Sequence, residues 1–258
     1  MSAAPRAPAQ GPTPPRVGRA SPPHRGKPPP TARRSLLDVL KEHVGAEGRE
    51  RMVARVMYVA QLPDRHSRAK LKDHHQRLVE GLRAEGHELT GLLLVWETCC
   101  LHMLEGTLDH LMGFLRGLRG ALGDGSAPMR EPRFATFMDD CEAPVFSFWD
   151  ASTLNASVGD EVEAVPFQEA AEYMAEAGIQ MLSLGKQLTA IPSEEKRKTG
   201  INKLASLGYD LPTPERATSL ALSDDLLSLD EFLEVFGGPL HLELDSDLVW
   251  PVPRSVAI

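Results

Sequence analysis

HELTGLLLVWETCCLHMLEG, residues 87–106, decides how this chain is read. Residues 89–96 are almost continuously apolar, the pattern of a strand buried on both faces, although a buried helix segment gives a similar run. Thr90 and Val95 favour a strand, and Gly91 does not. A short turn at Glu97 and Thr98 leads into a second run, 99–105, that alternates. Cys100, His102 and Leu104 point one way; Leu101, Met103 and Glu105 point the other. Gly106 breaks this run, and an amphipathic helix over 107–122 follows, with Leu108, Leu111, Leu115 and Leu118 at helical spacing.

Upstream, residues 67–85 read as a helix whose stripe is Leu71, His74, Leu78 and Leu82, with Val79 alongside. Before it, RMVARVMYVAQ (51–61) reads as a strand, with Met52, Ala54, Val56 and Tyr58 on one side. Downstream, a strand around 133–137, a tight turn near 139–141 and a strand over 143–149 complete the order β-α-β-β-α-β-β. That order predicts an α+β fold, a ferredoxin-like sheet with one added strand. Its two helices cover one face. A long helix over 165–191, following an acidic linker at 152–164, is expected to cover the other. A helix over 193–207 should start at Ser193, with Glu194 and Glu195 in its first turn. A third over 228–236 should start at a capping box, Ser228 to Glu231. Residues 240–244 alternate Leu with His and Glu, as in a half-buried strand. That strand is expected to fold back on the domain, anchored by Leu248, Val249 and Trp250, leaving 193–236 together with the basic tail at 1–34 as partner surface.

Composition divides the chain. Residues 1–34 hold ten prolines, seven Arg or Lys and no acid. Such a segment cannot bury enough surface to offset chain entropy and should be a disordered basic tail. Its removal should leave thermal stability nearly unchanged. The remaining residues carry 21 bases against 36 acids, which disfavours nucleic acid as main partner. Three cysteines make no disulfide framework and point to a reducing compartment. No secretory leader or membrane-length apolar run is visible. The expected organisation is a tail (1–34), a docking helix (35–50), a sheet domain (51–150) and a helical extension (151–258).

Catalytic motifs are missing: no Gly-x-Ser-x-Gly elbow, Walker loop, His-Glu-x-x-His or paired-Cys zinc spacing. Glycines 117, 120, 123 and 125 end a helix rather than open one, so they terminate it rather than cradle phosphate. His74 and His75 point about 100° apart on a helix and do not share a ligand face, so no metal is expected. Cys99 and Cys100 read as small buried hydrophobes.

The LTGLLLVWETCCLHMLEG run resembles the core signature of the BLUF family, blue-light sensors that use flavin. The closing segment GPLHLELDSDLVWPVP makes the closer resemblance to the testis-expressed protein 47 family, which looks like a degenerate relative of the same fold. The resemblance implies a pocket at Tyr58, His102, Arg83, Ala84 and Trp149. Tyr58 matches the tyrosine of the first strand and Trp149 the tryptophan of the last. His102 stands where BLUF sensors carry glutamine, and Arg83 and Ala84 where they carry asparagine. Those departures imply no cofactor. A residual flavin-binding sensor holding FAD or FMN is the alternative reading. Under it His102 is a surviving pocket residue; otherwise it is a buried histidine bonded to a neighbour. The space between the helices at 67–85 and 107–122 is expected to be filled by side chains. The family name implies male germ cells. It suggests a non-enzymatic structural or adaptor protein of the sperm flagellum or ciliary axoneme. Such a protein would be cytoplasmic and cytoskeletal, binding axonemal or microtubule-associated complexes rather than membrane.

Overall fold

Two long apolar runs become the centre of a sheet because both of their faces are covered. In the computed structural model, which describes residues 52–156, 158 and 162–238, β1 (Val53–Gln61) and β3 (Cys99–Gly106) lie side by side and buried. Around them stand β2 (Leu89–Val95), β4 (Arg133–Cys141) and β5 (Trp149–Thr153), in the order β4-β1-β3-β2-β5. β5 runs parallel to β2 and the other neighbours are antiparallel. This is the expected ferredoxin-like sheet with one added strand. The expected tail, the docking helix at 35–50 and the strand at 240–244 with its anchors lie outside the described residues.

One face of the sheet presents Val56, Tyr58, Leu93, Cys100 and Leu104 to α1 (Ser67–Ala84) and α2 (Leu108–Gly123). Thr107 caps α2, its side chain accepting from the His110 backbone N–H. The opposite face presents Met57, Val59, Leu92, Leu101 and Met103 to α3 (Phe167–Thr189), α4 (Glu194–Asn202) and α5 (Pro214–Leu222). The cover is therefore not the long helix alone. Helix α5, which the sequence pattern did not reveal, lies against β1 and β3. Its Ala217, Leu220 and Ala221 are buried, and small side chains let a helix approach a sheet closely. Helix α3 packs on α4 and α5 and along β4.

The fifth strand lies later than expected. Residues 145–147 do not begin it, because their backbone groups are used elsewhere, on Glu105 and Thr189. The N–H groups of Val145 and Phe146 donate to the buried Glu105 carboxylate at 2.8–3.0 Å. Ladder pairing starts only at Gly91 opposite Trp149. The expected boundary between 150 and 151 falls inside this strand. Strand β4 runs on to Cys141 through the predicted turn, with two register irregularities against β1. Helix α4 stops at Asn202, short of the predicted 207, and a 3-10 turn at Leu204–Ser206 follows. Its last turn, Thr-Gly-Ile-Asn, is poor helix material. Gly117 and Gly120 lie inside α2 and only Gly123 and Gly125 end it. Ser193 caps α4, and the capping box at Ser228 and Glu231 opens α6 (Leu229–Gly237) as predicted. Gly91 has φ +146°, and a Cβ there would lie 2.2 Å from the Met103 carbonyl oxygen, so no other residue fits this strand.

After α5 the chain turns round the edge of β4. The Phe134 N–H donates to the Leu227 carbonyl at 2.9 Å, and Arg133 forms a bridge with Ser228. Helix α6 then lies on the first face, stacking Phe232 on Phe134 with ring centroids 4.1 Å apart. The C-terminal helices thus clasp both sides of the sheet.

Candidate functional site

Register puts Tyr58 of β1 directly opposite His102 of β3, both on the face under α1 and α2. Both are fully buried, as are His75 of α1 and Phe114 of α2. The Tyr58 hydroxyl lies 2.7 Å from His75 Nε2 and 2.9 Å from His102 Nδ1. His75 Nδ1 is 3.0 Å from the Leu71 carbonyl, one turn back. The Trp149 indole N–H donates to His102 Nε2 at 3.1 Å.

These four contacts admit one arrangement of protons for neutral rings. A carbonyl only accepts, so His75 Nδ1 carries the hydrogen and its Nε2 is bare. Tyr58 must then donate to His75. Its oxygen accepts from His102 Nδ1–H, which leaves His102 Nε2 bare to accept from Trp149. The result is a single directed chain: Trp149 to His102, His102 to Tyr58, Tyr58 to His75, His75 to the helix backbone. Burial keeps these rings uncharged. It lowers His75 to about 3, with His74 adding to the effect. It lowers His102 well below the ordinary histidine value and raises Tyr58 well above the ordinary tyrosine value.

The sequence placed His102, Tyr58 and Trp149 together by resemblance, and the structure joins them. It does not join Arg83 and Ala84, which stand exposed at the end of α1. It adds His75 and Phe114. The signal for His75 was present: Leu71, His75 and Val79 step by four and are the innermost stripe of α1, whereas His74 lies at the rim. The imidazole of His102 donates and accepts at once. It does so toward Tyr58 and Trp149, and no ring nitrogen of His102 remains for a ligand.

Side chains fill the space between α1 and α2. A Cβ on Gly117 or Gly113 of α2 would stand 3.3 and 3.4 Å from Leu78 and Leu82 of α1, so the helices touch there. Phe114 and His75 fill the space below, with rings 5.7 Å apart. Among the described residues no three His, Cys, Asp or Glu side chains form a metal cluster. Cys99 is pushed up to about 11 by burial and Cys100 is raised further for the same reason, so both remain thiols at neutral pH.

On the other face Arg55 and Glu105 pair across the same two strands. Arg55 Nε donates to Glu105 Oε1 at 2.6 Å, and the carboxylate is fully buried. Since Glu105 also holds the backbone of Val145 and Phe146, it fixes the loop that delivers Trp149 to His102.

Solved structures similar to this chain include a bacterial light-regulated adenylyl cyclase, at 15% identity and TM-score 0.33, covering 59% of this chain and 40% of the cyclase. The BlrP1 BLUF structure is 15% identical at TM-score 0.31, covering 63% of this chain and 97% of that one. The BlsA photo-activated state is 12% identical at TM-score 0.33, covering 62% and 99%. The chain thus spans well under half of the cyclase, and likenesses this distant carry no argument about chemistry. A far more specific match is to the family described as testis-expressed protein 47, over residues 52–237. That span takes in the whole sheet and every described helix, and the chain belongs to the testis-expressed protein 47 family.

Proposed function

We propose that this protein is a non-enzymatic structural or adaptor protein of male germ cells, binding larger protein complexes through a BLUF-like domain. The observation that carries this reading is the closed chain from Trp149 to His75. The ring nitrogens and the hydroxyl of Tyr58, His75, His102 and Trp149 are all bonded within this chain of contacts, which supports a structural rather than a ligand-binding role for these four residues. The family's description as testis-expressed supports the cell type. The finer location is the sperm flagellum or ciliary axoneme, cytoplasmic and attached to the cytoskeleton. Its partners there are axonemal or microtubule-associated complexes. The acidic body argues against nucleic acid. None of the described helices is long and apolar enough to cross a membrane. The working division remains tail, docking helix, sheet domain and helical extension, with the extension completing the domain.

Two measurements test this. The purified chain, reconstituted with FAD and with FMN and then desalted, should show no stoichiometric blue absorbance band. Such a band would sink the adaptor reading in favour of a flavin sensor. The tagged protein in sperm should stay with axonemes after detergent extraction, and its full release into the detergent-soluble fraction would overturn the location.

A further inference from the structure

The two edges of the sheet are protected unequally. On β5 the N–H of Ala151 is taken by the Asp150 carboxylate at 2.7 Å and its carbonyl by Lys72 Nζ at 3.1 Å. That edge cannot accept another strand there. On β4 only the beginning is covered, where Leu227 accepts from Phe134. From residue 135 onward no described residue bonds the outer edge. An open edge is a template for another strand, and proteins normally cover it.

Apolar surface gathers at that same edge. Met138 is 44% exposed, Ile179 68% and Phe236 39%. Met138 and Ile179, with Met174, Leu182 and Thr136, line a groove of about 460 Å³ between β4 and α3. A second cavity continues it past Met138 and Arg55 toward Val145. A strand added to β4 would send alternate side chains into this groove.

The sequence just beyond α6 has the pattern such a strand needs. The Phe236 ring lies 4.8 Å from the Phe137 ring, so α6 ends alongside β4. Leu240 is four residues further, within about 13 Å of extended chain. Residues 240–244 read Leu-His-Leu-Glu-Leu, apolar at every second position.

We infer that residues 240–244 dock as a sixth strand on the free edge of β4, with Leu240, Leu242 and Leu244 in the groove lined by Met138 and Ile179. The occupant is this chain's own C-terminal segment. The period of two matches the pleat, and the short reach from Phe236 makes docking within one molecule far easier than recruiting a second.

Hydrogen exchange on the full chain tests this. Those amides at 135–140 that face away from β1 should be protected in a monomer. A full-chain Leu242→Asp variant should lose at least tenfold of that protection while amides of β1 and β3 keep theirs. A second variant pair, Met138→Cys with Leu242→Cys, should cross-link within one chain on oxidation. Unprotected outward-facing amides at 135–140 in the unmodified monomer would overturn the inference. So would protection unaltered in Leu242→Asp, or protection that vanishes on dilution, which would make the occupant a second copy.

Discussion

Acidification from pH 7.5 to pH 5 should weaken the fold through His75 and His102, by an amount the structure sets. Both rings are neutral in the folded state and lowered, His75 to about 3. In the unfolded chain each returns to about 6.5. Between roughly pH 3 and 6.5 the unfolded state therefore binds more protons than the native state. Their contribution is intact above pH 6.5 and is lost as pH falls toward the folded value. At pH 5 an unfolded histidine lies about 1.5 pH units below its pKa, which amounts to about 2 kcal/mol for His75, and His102 acts in the same direction. A domain stable by about 5–15 kcal/mol would feel that strongly. The assay is urea unfolding followed by tryptophan fluorescence at both pH values, on the natural chain and on a His75→Gln/His102→Gln variant. Glutamine keeps hydrogen-bonding capacity without titrating, so the variant should lose at least about 2 kcal/mol less than the natural chain. If both lose the same within about 0.5 kcal/mol, the rings are not neutral and buried, and the directed chain is wrong.

Three further outcomes follow from the same geometry. Tyr58→Phe strands the His102 N–H and the bare His75 nitrogen, and should destabilise by about 2–4 kcal/mol in chemical unfolding; a loss under about 0.5 kcal/mol would rule out the hydroxyl as the central link. Glu105→Ala leaves the Arg55 charge buried without its partner and should cost about 3–5 kcal/mol, with Trp149 fluorescence shifting as its loop loosens; an unshifted, equally stable variant would refute the carboxylate's anchoring role. Gly91→Ala forces a side chain onto the Met103 carbonyl, and folded protein at the natural melting temperature would show that the close approach is misplaced.

Much of the sheet was legible because its evidence is local. Strands β2 and β3 announce themselves by apolar runs around a turn, and Ser193, Ser228 and Glu231 mark helix starts by side-chain chemistry alone. Alternation within β3 already put His102 with Cys100 and Leu104, on the face where Tyr58 waits. What stayed hidden depended on distant partners. The fifth strand was misplaced because the N–H groups of Val145 and Phe146 go to Glu105, forty residues upstream. Helix α5 was missed because Ala217, Leu220 and Ala221 make a weak stripe, although Pro214 after Thr213 is a fair start signal. His75 was passed over because the stripe was read through His74, Leu78 and Leu82 rather than through Leu71, His75 and Val79, two phases that differ by one residue.

The clasp around β4 bears on how the protein is made. Strands β1 to β4 leave the ribosome early, but Phe134 meets its stacking partner Phe232 only ninety-eight residues later. Until α3, α4 and α5 emerge, Met57, Leu92, Leu101 and Met103 have no cover among the described residues. A nascent chain paused near residue 150 would display one face covered by α1 and α2 but open beside Phe134, and a second face without α3, α4 and α5, the condition that recruits chaperones and invites aggregation. Closure of this domain therefore waits for nearly the whole polypeptide, and truncations within the last three helices should be cleared from the cell rather than accumulate as partly working fragments.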